Sequence, residues 1–161
     1  MATLVTSGRA GLAASVAAQE IFLGFGAGDA AWDDDGTPPE DITSTALQAA
    51  IGYRKTAQVD FATADPAGSI VLPTGRYNIS QSQTNHLYLR FALDFEDAST
   101  ATIRQTGIFL GTTPNPGLPV GQMFFLPAEI ANPGTLYLLE HVTAINRTPA
   151  TRETFEFVLT F

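Results

Sequence analysis

The chain has 161 residues, a hydrophobic fraction of 45% and a formal net charge of −8, with one lysine and no cysteine. A chain of this length fits one domain and buries enough surface to fold without disulfides. The missing cysteines exclude a disulfide framework, thiol catalysis and thiolate metal sites. The acidic balance argues against binding to nucleic acid or to an anionic membrane, since both attract basic surfaces.

The chain begins with a pattern that predicts a short helix over Ser7–Gln19. Thr6 or Ser7 is the expected N-cap, and small residues dominate the inner face, so the helix is expected to pack closely on a sheet. That predicted inner face consists of Leu12, Ala13, Val16 and Ala17.

Three further elements are predicted before residue 52. An apolar run, Ile21–Phe25, predicts a strand that ends in a Gly-Ala-Gly turn. Residues 29–42 are expected to form an irregular loop, because they contain an Asp-Asp-Asp-Gly run and a proline pair. A second short helix is predicted over Ser44–Ile51, with Gly52 as its stop signal.

From residue 56 onward the hydrophobic pattern changes to a period of two, which is typical of half-buried strands. The clearest strand runs from His86 to Phe95, and Ala101–Leu110 is predicted as its antiparallel partner, with a bulge at Gly107. Residues 112–121 are expected to be irregular. The predicted inner face of the clearest strand consists of Leu87, Leu89, Phe91, Leu93 and Phe95. The other predicted strands are 56–61, 70–72, 136–143 and 154–161, with a type II turn at 132–135.

These elements predict an α+β fold, mainly antiparallel β and sandwich-like, with one or two short helices packed on the sheet. The expected organisation is a single domain over residues 1–161, with irregular loops at about 29–42 and 112–121. No internal repeat is visible.

The acidic segment is the most conspicuous polar feature. Seven of the 16 acidic residues lie between Glu20 and Asp41, with no lysine or arginine among them. Consecutive carboxylates can bind calcium, but the spacing differs from that of a helix–loop–helix calcium site, and a solvated loop is the favoured interpretation. A third interpretation is a docking patch for a basic partner, with a tryptophan as its anchor. The candidate interface residues are Trp32, Asp33, Asp34, Asp35, Pro38 and Pro39.

Neither catalysis nor a cofactor is predicted. The two histidines, His86 and His141, have no recognisable nucleophile or acid partner in the sequence, and there is no nucleophile-elbow motif. Tyr88 projects opposite the apolar face of its predicted strand, which makes it the best candidate for an exposed, sugar-stacking aromatic. Aromatics in β-proteins are more often core residues, so the core interpretation is favoured for the tyrosines and for Trp32.

Three stretches of the sequence resemble the N-terminal, baseplate-proximal module of phage tail-collar and tail-fibre proteins. Thr6 to Ala13 is similar to its first helix, Phe25 to Asp29 to its Gly-x-Gly-Asp turn, and Thr102 to Phe109 to its Thr-Ile-Arg strand. The chain departs from the family by the acidic, proline-containing segment Ala30 to Asp41 and by lacking a fibre shaft and tip.

The resemblance implies a structural virion protein of a bacteriophage tail, as a baseplate or fibre-attachment (collar or adaptor) subunit. Its expected partners are other tail, baseplate or fibre proteins and further copies of itself, and assembly is expected in the host cytoplasm. No enzymatic activity, metal, nucleic acid or membrane is expected. The alternative hypothesis is a carbohydrate- or receptor-binding module of the phage tail.

Overall fold

A computed structural model of the chain describes all residues from Met1 to Phe161. Two helices are present, α1 (Thr6–Ala17) and α2 (Trp32–Asp35), together with a single 3-10 turn at Pro127–Glu129. The strands, in chain order, are β1 Ile21–Gly26, β2 Ala50–Lys55, β3 Gln58–Ala64, β4 Ile70–Leu72, β5 Gly75–Ser80, β6 His86–Leu93, β7 Thr102–Leu110, β8 Thr113–Pro114, β9 Phe124–Phe125, β10 Ile130–Asn132, β11 Thr135–Asn146 and β12 Glu153–Thr160.

The contacts divide the chain into two compact units. The first unit contains Met1–Gln19, Thr56–Phe91 and Thr154–Phe161, and the second contains Glu20–Lys55 and Ala92–Glu153. The predicted class, α+β with mainly antiparallel strands and short helices, is confirmed. The prediction of a single domain stays a prediction.

The first unit contains a five-stranded sheet in the order β12-β6-β3-β5-β4, with α1 packed near β3. The small inner face of α1 allows this close approach, and Ala13 and Val16 are buried. Leu12, which was predicted on the same face, is exposed, and the predicted side-chain cap is absent because Val5 occupies the N-cap.

Strand β6 lies between β3 and β12, and all of its residues except the exposed Arg90 are buried or half-buried. The predicted inner face is confirmed at Leu87, Leu89, Phe91 and Leu93, which are all fully buried. The prediction is wrong at Phe95, which lies beyond the end of β6 and is 42% exposed.

The second unit contains a five-stranded sheet in the order β11-β7-β1-β2-β9 and a two-stranded ribbon of β10 and β8. Strand β1 lies near the middle of the sheet, so all six of its residues are buried, which explains the continuous apolar run in its sequence. Gly134, with φ +79°, occupies the left-handed position of the predicted turn at 132–135, and its N–H donates to Asn132 Oδ1 at 2.9 Å.

The predicted pairing of the strands at 86–95 and 101–110 is wrong. Strand β7 pairs with β1 and β11 instead. The connection between β6 and β7 is therefore not a hairpin turn. The buried guanidinium of Arg147 binds its backbone, donating to the carbonyls of Asp94 at 2.7 Å and Asp97 at 3.3 Å. Gly107 also makes no bulge: it stays in unbroken register with Gly24 of β1.

The predicted second helix over Ser44–Ile51 is absent, and the chain turns directly into β2. Its backbone groups are bonded to distant residues rather than within a helix. The N–H of Gln48 donates to Gln105 Oε1 at 2.8 Å, and the carbonyl of Ala49 accepts from the N–H of Ala27 at 3.0 Å. Ala49 itself has φ +50°, which no right-handed helix accommodates.

Candidate functional site

The candidate interface lies in the second unit, on the acidic arm, by which we mean residues 29–42. The arm is mostly irregular, as predicted, but contains the single helical turn α2. The carboxylate of Asp29 starts this turn by accepting the N–H of Ala31 at 2.9 Å, and Gly36, with φ +88°, ends it. The turn therefore presents three consecutive carboxylates in different directions.

The first of these carboxylates, Asp33, is bound to the sheet by Arg104 of β7. The guanidinium donates twice, from Nε to Oδ1 at 2.8 Å and from Nη2 to Oδ2 at 2.6 Å, which is the paired geometry that arginine and carboxylate favour. The hydrogen bond from Arg104 lowers the pKa of Asp33. Arg104 also donates from Nη1 to the carbonyl of Ala27 at 3.1 Å, so one side chain binds both the backbone just before the arm and the helical turn within it.

His141 of β11 holds the arm at a second point. Its Nδ1 lies 2.8 Å from the carbonyl oxygen of Pro38, which only accepts, so Nδ1 carries the ring hydrogen. Its Nε2 lies 2.9 Å from Nε2 of Gln105. The oxygen of the Gln105 amide is already bonded to the N–H of Gln48, so the amide nitrogen faces the histidine and donates to it. These contacts define one tautomer of a neutral imidazole.

The backbone and ring face of His141 contribute two more contacts. Its N–H donates to Oε1 of Glu40 at 3.0 Å, and this hydrogen bond lowers the pKa of Glu40. The indole of Trp32 lies against the imidazole, with ring centroids 4.7 Å apart and planes inclined by 31°. A Cβ on Gly28 would come within 2.6 Å of this indole, so the glycine makes room for the tryptophan.

The structure thus divides the six candidate interface residues into two groups. Trp32 and Asp33 make contacts within the chain, so Asp33 is not the freely solvated charge that the loop interpretation implied. The side chains of the remaining four are exposed: Asp34, Asp35, Pro38 and Pro39. Of these residues, Pro38 is bonded to His141 through its backbone carbonyl. The interface itself stays a prediction, and the structure shows hydrogen bonds that hold the arm against the sheet.

Four residues that support the arm were not singled out as such from the sequence: Glu40, Arg104, Gln105 and His141. One of them, Arg104, could have been identified from the sequence. Arg104 is the only charged residue in β7, and a lone charge in an apolar strand requires an opposite charge nearby. The arm is the most concentrated source of acidic residues. The histidine gave no comparable signal, because its partners are backbone and amide groups.

The other predicted polar sites show no catalytic or metal-binding arrangement. No group of three or more histidine, cysteine, aspartate or glutamate side chains is placed to hold a metal ion. His86 Nδ1 lies 2.9 Å from the hydroxyl of Thr160, and its ring meets that of Tyr77 edge-on. No helix is long and apolar enough to cross a membrane.

Three of the four tyrosines, Tyr53, Tyr77 and Tyr88, are buried, and Tyr137 is exposed. Tyr88, the best candidate from the sequence for an exposed aromatic, packs with Tyr77 and Ala62. Its hydroxyl donates to Glu156. The favoured core interpretation is confirmed for Tyr88, which is buried although Arg90, two residues further along the same face, is exposed. The exposed aromatic platform on which the sugar-binding hypothesis depended is therefore absent at Tyr88.

The sequence matches a family model described as "Baseplate wedge 3 tail fiber network component", and the match covers residues 1–161. No curated protein matches the chain.

Proposed function

The chain belongs to the baseplate wedge 3 tail fiber network components, and we propose that it is an attachment subunit, which joins the baseplate to a fibre or to a neighbouring tail protein. As a member of this family, the chain is a structural component of a phage tail and associates with other baseplate or tail proteins. Membership in a family of structural baseplate components also favours a non-enzymatic role. The finer role as an attachment subunit, and the arm as its contact, are our proposal.

The observation that carries the proposal is that the acidic arm is rigidly supported and yet keeps exposed carboxylates. Arg104 of β7 and His141 of β11 bind the arm, while Asp34 and Asp35 in the same arm are exposed. A docking element held in one conformation loses little entropy when it binds. Exposed like charges steer the encounter with an oppositely charged surface and favour partners rich in lysine or arginine.

The proposed assembly contains further tail proteins and further copies of this chain, and it forms in the host cytoplasm before the particle is released. The net charge of −8 opposes contact between the arms of two copies, so the arm is expected to meet a different protein.

The test is a pair of variants in neighbouring residues of the arm. The double variant Asp34→Asn/Asp35→Asn removes two exposed charges and no bond within the chain, so its melting temperature is expected to match that of the wild type. Its incorporation into particles is expected to fall, and added salt is expected to lower wild-type incorporation in the same way, because salt screens exposed charges.

Asp33→Asn is the matched control, since it changes one carboxylate in the same turn but breaks the pair with Arg104. It is expected to loosen the arm, which the fluorescence of Trp32 reports. If the Asp34/Asp35 variant assembles like the wild type at low and high salt, the arm is not the attachment surface.

A further inference from the structure

The loop that joins β6 to β7, residues 94–101, is bound by two arginines of the second unit. The guanidinium of Arg54 donates from Nη1 to Oδ2 of Asp97 at 2.6 Å, and the same oxygen accepts the N–H of Asp94 at 2.7 Å. The guanidinium of Arg147 donates to the backbone carbonyls of the same two aspartates. The loop is therefore bonded to side chains that lie 43 to 53 residues away in the sequence.

This arrangement costs stability in two ways. The Nε atoms of Arg54 and Arg147 are buried without a hydrogen-bond partner, and burying an unsatisfied donor of a charged group is unfavourable. Ala98 of the same loop has φ +48°, in the left-handed region that residues with a side chain rarely adopt. Strain and unsatisfied polar groups of this kind concentrate at functional sites. The loop is therefore a candidate for a function beyond joining two strands.

A pocket of about 440 Å³ lies beside this loop and has an aromatic wall. Phe95, which is 42% exposed, lines it, and the guanidinium of Arg152 lies over the phenyl ring, 4.6 Å from the centroid. Arg152 also pairs with Oδ1 of Asp94 at 2.6 Å. The lining residues are Arg54, Asp94, Phe95, Glu96, Asp97 and Arg152. The pocket therefore combines an apolar surface with charged groups of both signs.

Glu96 is the one charged residue of this lining that has no partner. Asp97 is paired with Arg54. Asp94 is paired with Arg152, so these four charges compensate one another. Glu96 is exposed and makes no hydrogen bond or ion pair, which leaves one uncompensated negative charge beside an exposed phenyl ring. A lysine or arginine side chain fits both features, because its methylene groups cover apolar surface while its charged end lies near a carboxylate.

We propose that a lysine or arginine side chain of a neighbouring tail protein enters this pocket. Its methylene groups cover the exposed part of Phe95, and its charged end binds the carboxylate of Glu96. Side chains that fill such pockets contribute most of the binding energy in many protein interfaces. The pocket is a contact surface in addition to the acidic arm, and it depends only on the association of this family with other tail proteins.

A second copy of the chain is the less suitable occupant. The net charge of −8 opposes contact between copies. The only lysine of the chain, Lys55, is already paired with Glu20 at 2.7 Å. A different protein with a basic surface meets neither obstacle.

The first test uses the whole isotope-labelled chain and lysine blocked at both ends, as the N-acetyl methylamide. Amide resonances of residues 94–98 are expected to shift at concentrations on the order of 10 mM, which suits a single side chain. Blocked norleucine keeps the methylene groups but lacks the amine, and it is expected to bind about tenfold more weakly. Equal binding of the two probes, shifts confined to other residues, or no shifts would overturn the proposal.

Two glutamate variants show whether Glu96 is the group that binds the amine. Glu96→Gln removes the charge and breaks no bond within the chain, so its melting temperature is expected to match that of the wild type. It is expected to bind blocked lysine as weakly as blocked norleucine. Glu140→Gln is the matched control, because Glu140 is also exposed and unbonded in the second unit, and its binding is expected to be unchanged. Equal binding by both variants would overturn the assignment to Glu96.

The second test measures incorporation into particles when each variant competes with the wild type. Glu96→Gln and Phe95→Ala are expected to be incorporated at about a tenth of the wild-type level or less, and Glu140→Gln at the wild-type level. Wild-type incorporation of Glu96→Gln would show that no neighbouring protein uses the pocket. Self-association of the purified chain that Glu96→Gln abolishes would identify a second copy instead and overturn the proposal. The Asp34→Asn/Asp35→Asn variant tests the arm separately, so failure at either surface leaves the other standing.

Discussion

The side chain of Leu47 fills the space over two facing glycines, which we call the notch. This packing predicts how substitutions there change the free energy of unfolding. Gly24 of β1 and Gly107 of β7 are direct partners across the sheet. A Cβ on Gly24 would lie 2.8 Å from Cδ1 of Leu47, and a Cβ on Gly107 would lie 3.0 Å from its Cδ2. Leu47, only 9% exposed, thereby anchors the segment that follows the acidic arm to the sheet.

Truncation of this side chain leaves a cavity over the two glycines. Leu47→Ala is expected to lower the free energy of unfolding by about 2–5 kcal/mol, the range for buried leucines. Gly107→Ala is expected to lower it by about 1–3 kcal/mol, because the new methyl group also comes within 2.7 Å of Cδ1 of Leu136 and overpacks the site.

The double variant provides the sharper test. In the Leu47→Ala background the methyl group at residue 107 enters the cavity instead of meeting Leu47. The two losses are therefore expected to sum to more than the loss in the double variant, with a coupling of about 0.5–3 kcal/mol. Gly11→Ala is the control: no atom lies within 4 Å of its Cβ, and alanine in a helix is expected to stabilise by about 0.5–1 kcal/mol.

Urea unfolding measures all four variants, with far-UV circular dichroism and the fluorescence of Trp32 as the two signals. If the losses of unfolding free energy in the two single variants add up to the loss in the double variant, Leu47 does not fill the space over the two glycines. A destabilising Gly11→Ala would show that other atoms occupy the space next to residue 11 of α1.

Three further predictions concern the first unit and the arm. Leu89→Ala is expected to cost about 2–5 kcal/mol in urea unfolding, whereas Arg90→Ala on the exposed position next to it is expected to change stability by less than about 0.5 kcal/mol; equal effects would contradict the burial of β6. Desolvation and the bond to Glu156 raise the pKa of Tyr88 to about 12, above the value near 10 of an unfolded tyrosine. The unfolded chain therefore loses its proton first, so stability is present below about pH 10 and is lost as the pH rises toward about 12. Melting temperatures across that range are expected to fall less steeply for Tyr88→Phe, and equal slopes would contradict the shift. A chelator is expected to leave the melting temperature unchanged, and a drop that calcium reverses would reveal a metal site at the Asp33–Asp35 run.

The hydrophobic pattern predicted well where the strands lie, but poorly which strands pair with each other. The alternation in β6 and the apolar run of β1 both mark real strands, because burial on a sheet imposes the pattern locally. Which strands pair depends on the path that the connecting segments take between them. The sequence of the segment between β6 and β7 is typical of a turn, but β7 pairs with β1 and β11 instead of β6, and the distant Arg147 binds the backbone of the segment.

The second predicted helix failed for a related reason. The spacing of Leu47 and Ile51 fits a helix, but Leu47 belongs to the notch over Gly24 and Gly107. The backbone beside it bonds to Gln105 and to the end of β1. Tertiary contacts of this kind override local propensity and leave no signature in a short window of sequence.

The acidic arm could be located from the composition of the sequence, but the contacts that hold it against the sheet could not be predicted. Counting charges locates the arm and suggests a basic partner. It does not show that Asp33 is bound by Arg104 within the chain, or that His141 uses both ring nitrogens to hold Pro38 and Gln105. Those contacts join residues that are 71, 103 and 36 positions apart in the sequence.

Zero-length carbodiimide cross-linking of intact particles tests the central claim most directly. The reagent joins carboxylates to amines, and the chain has only Lys55 and its N-terminus as amines. Cross-links from Asp34 or Asp35 to a lysine other than Lys55 therefore identify another protein. We expect such links to a second tail or baseplate protein, and we expect them to vanish in the Asp34→Asn/Asp35→Asn variant. Absence of the chain from purified tails, or arm carboxylates linked only to Lys55, would contradict its role as an attachment subunit.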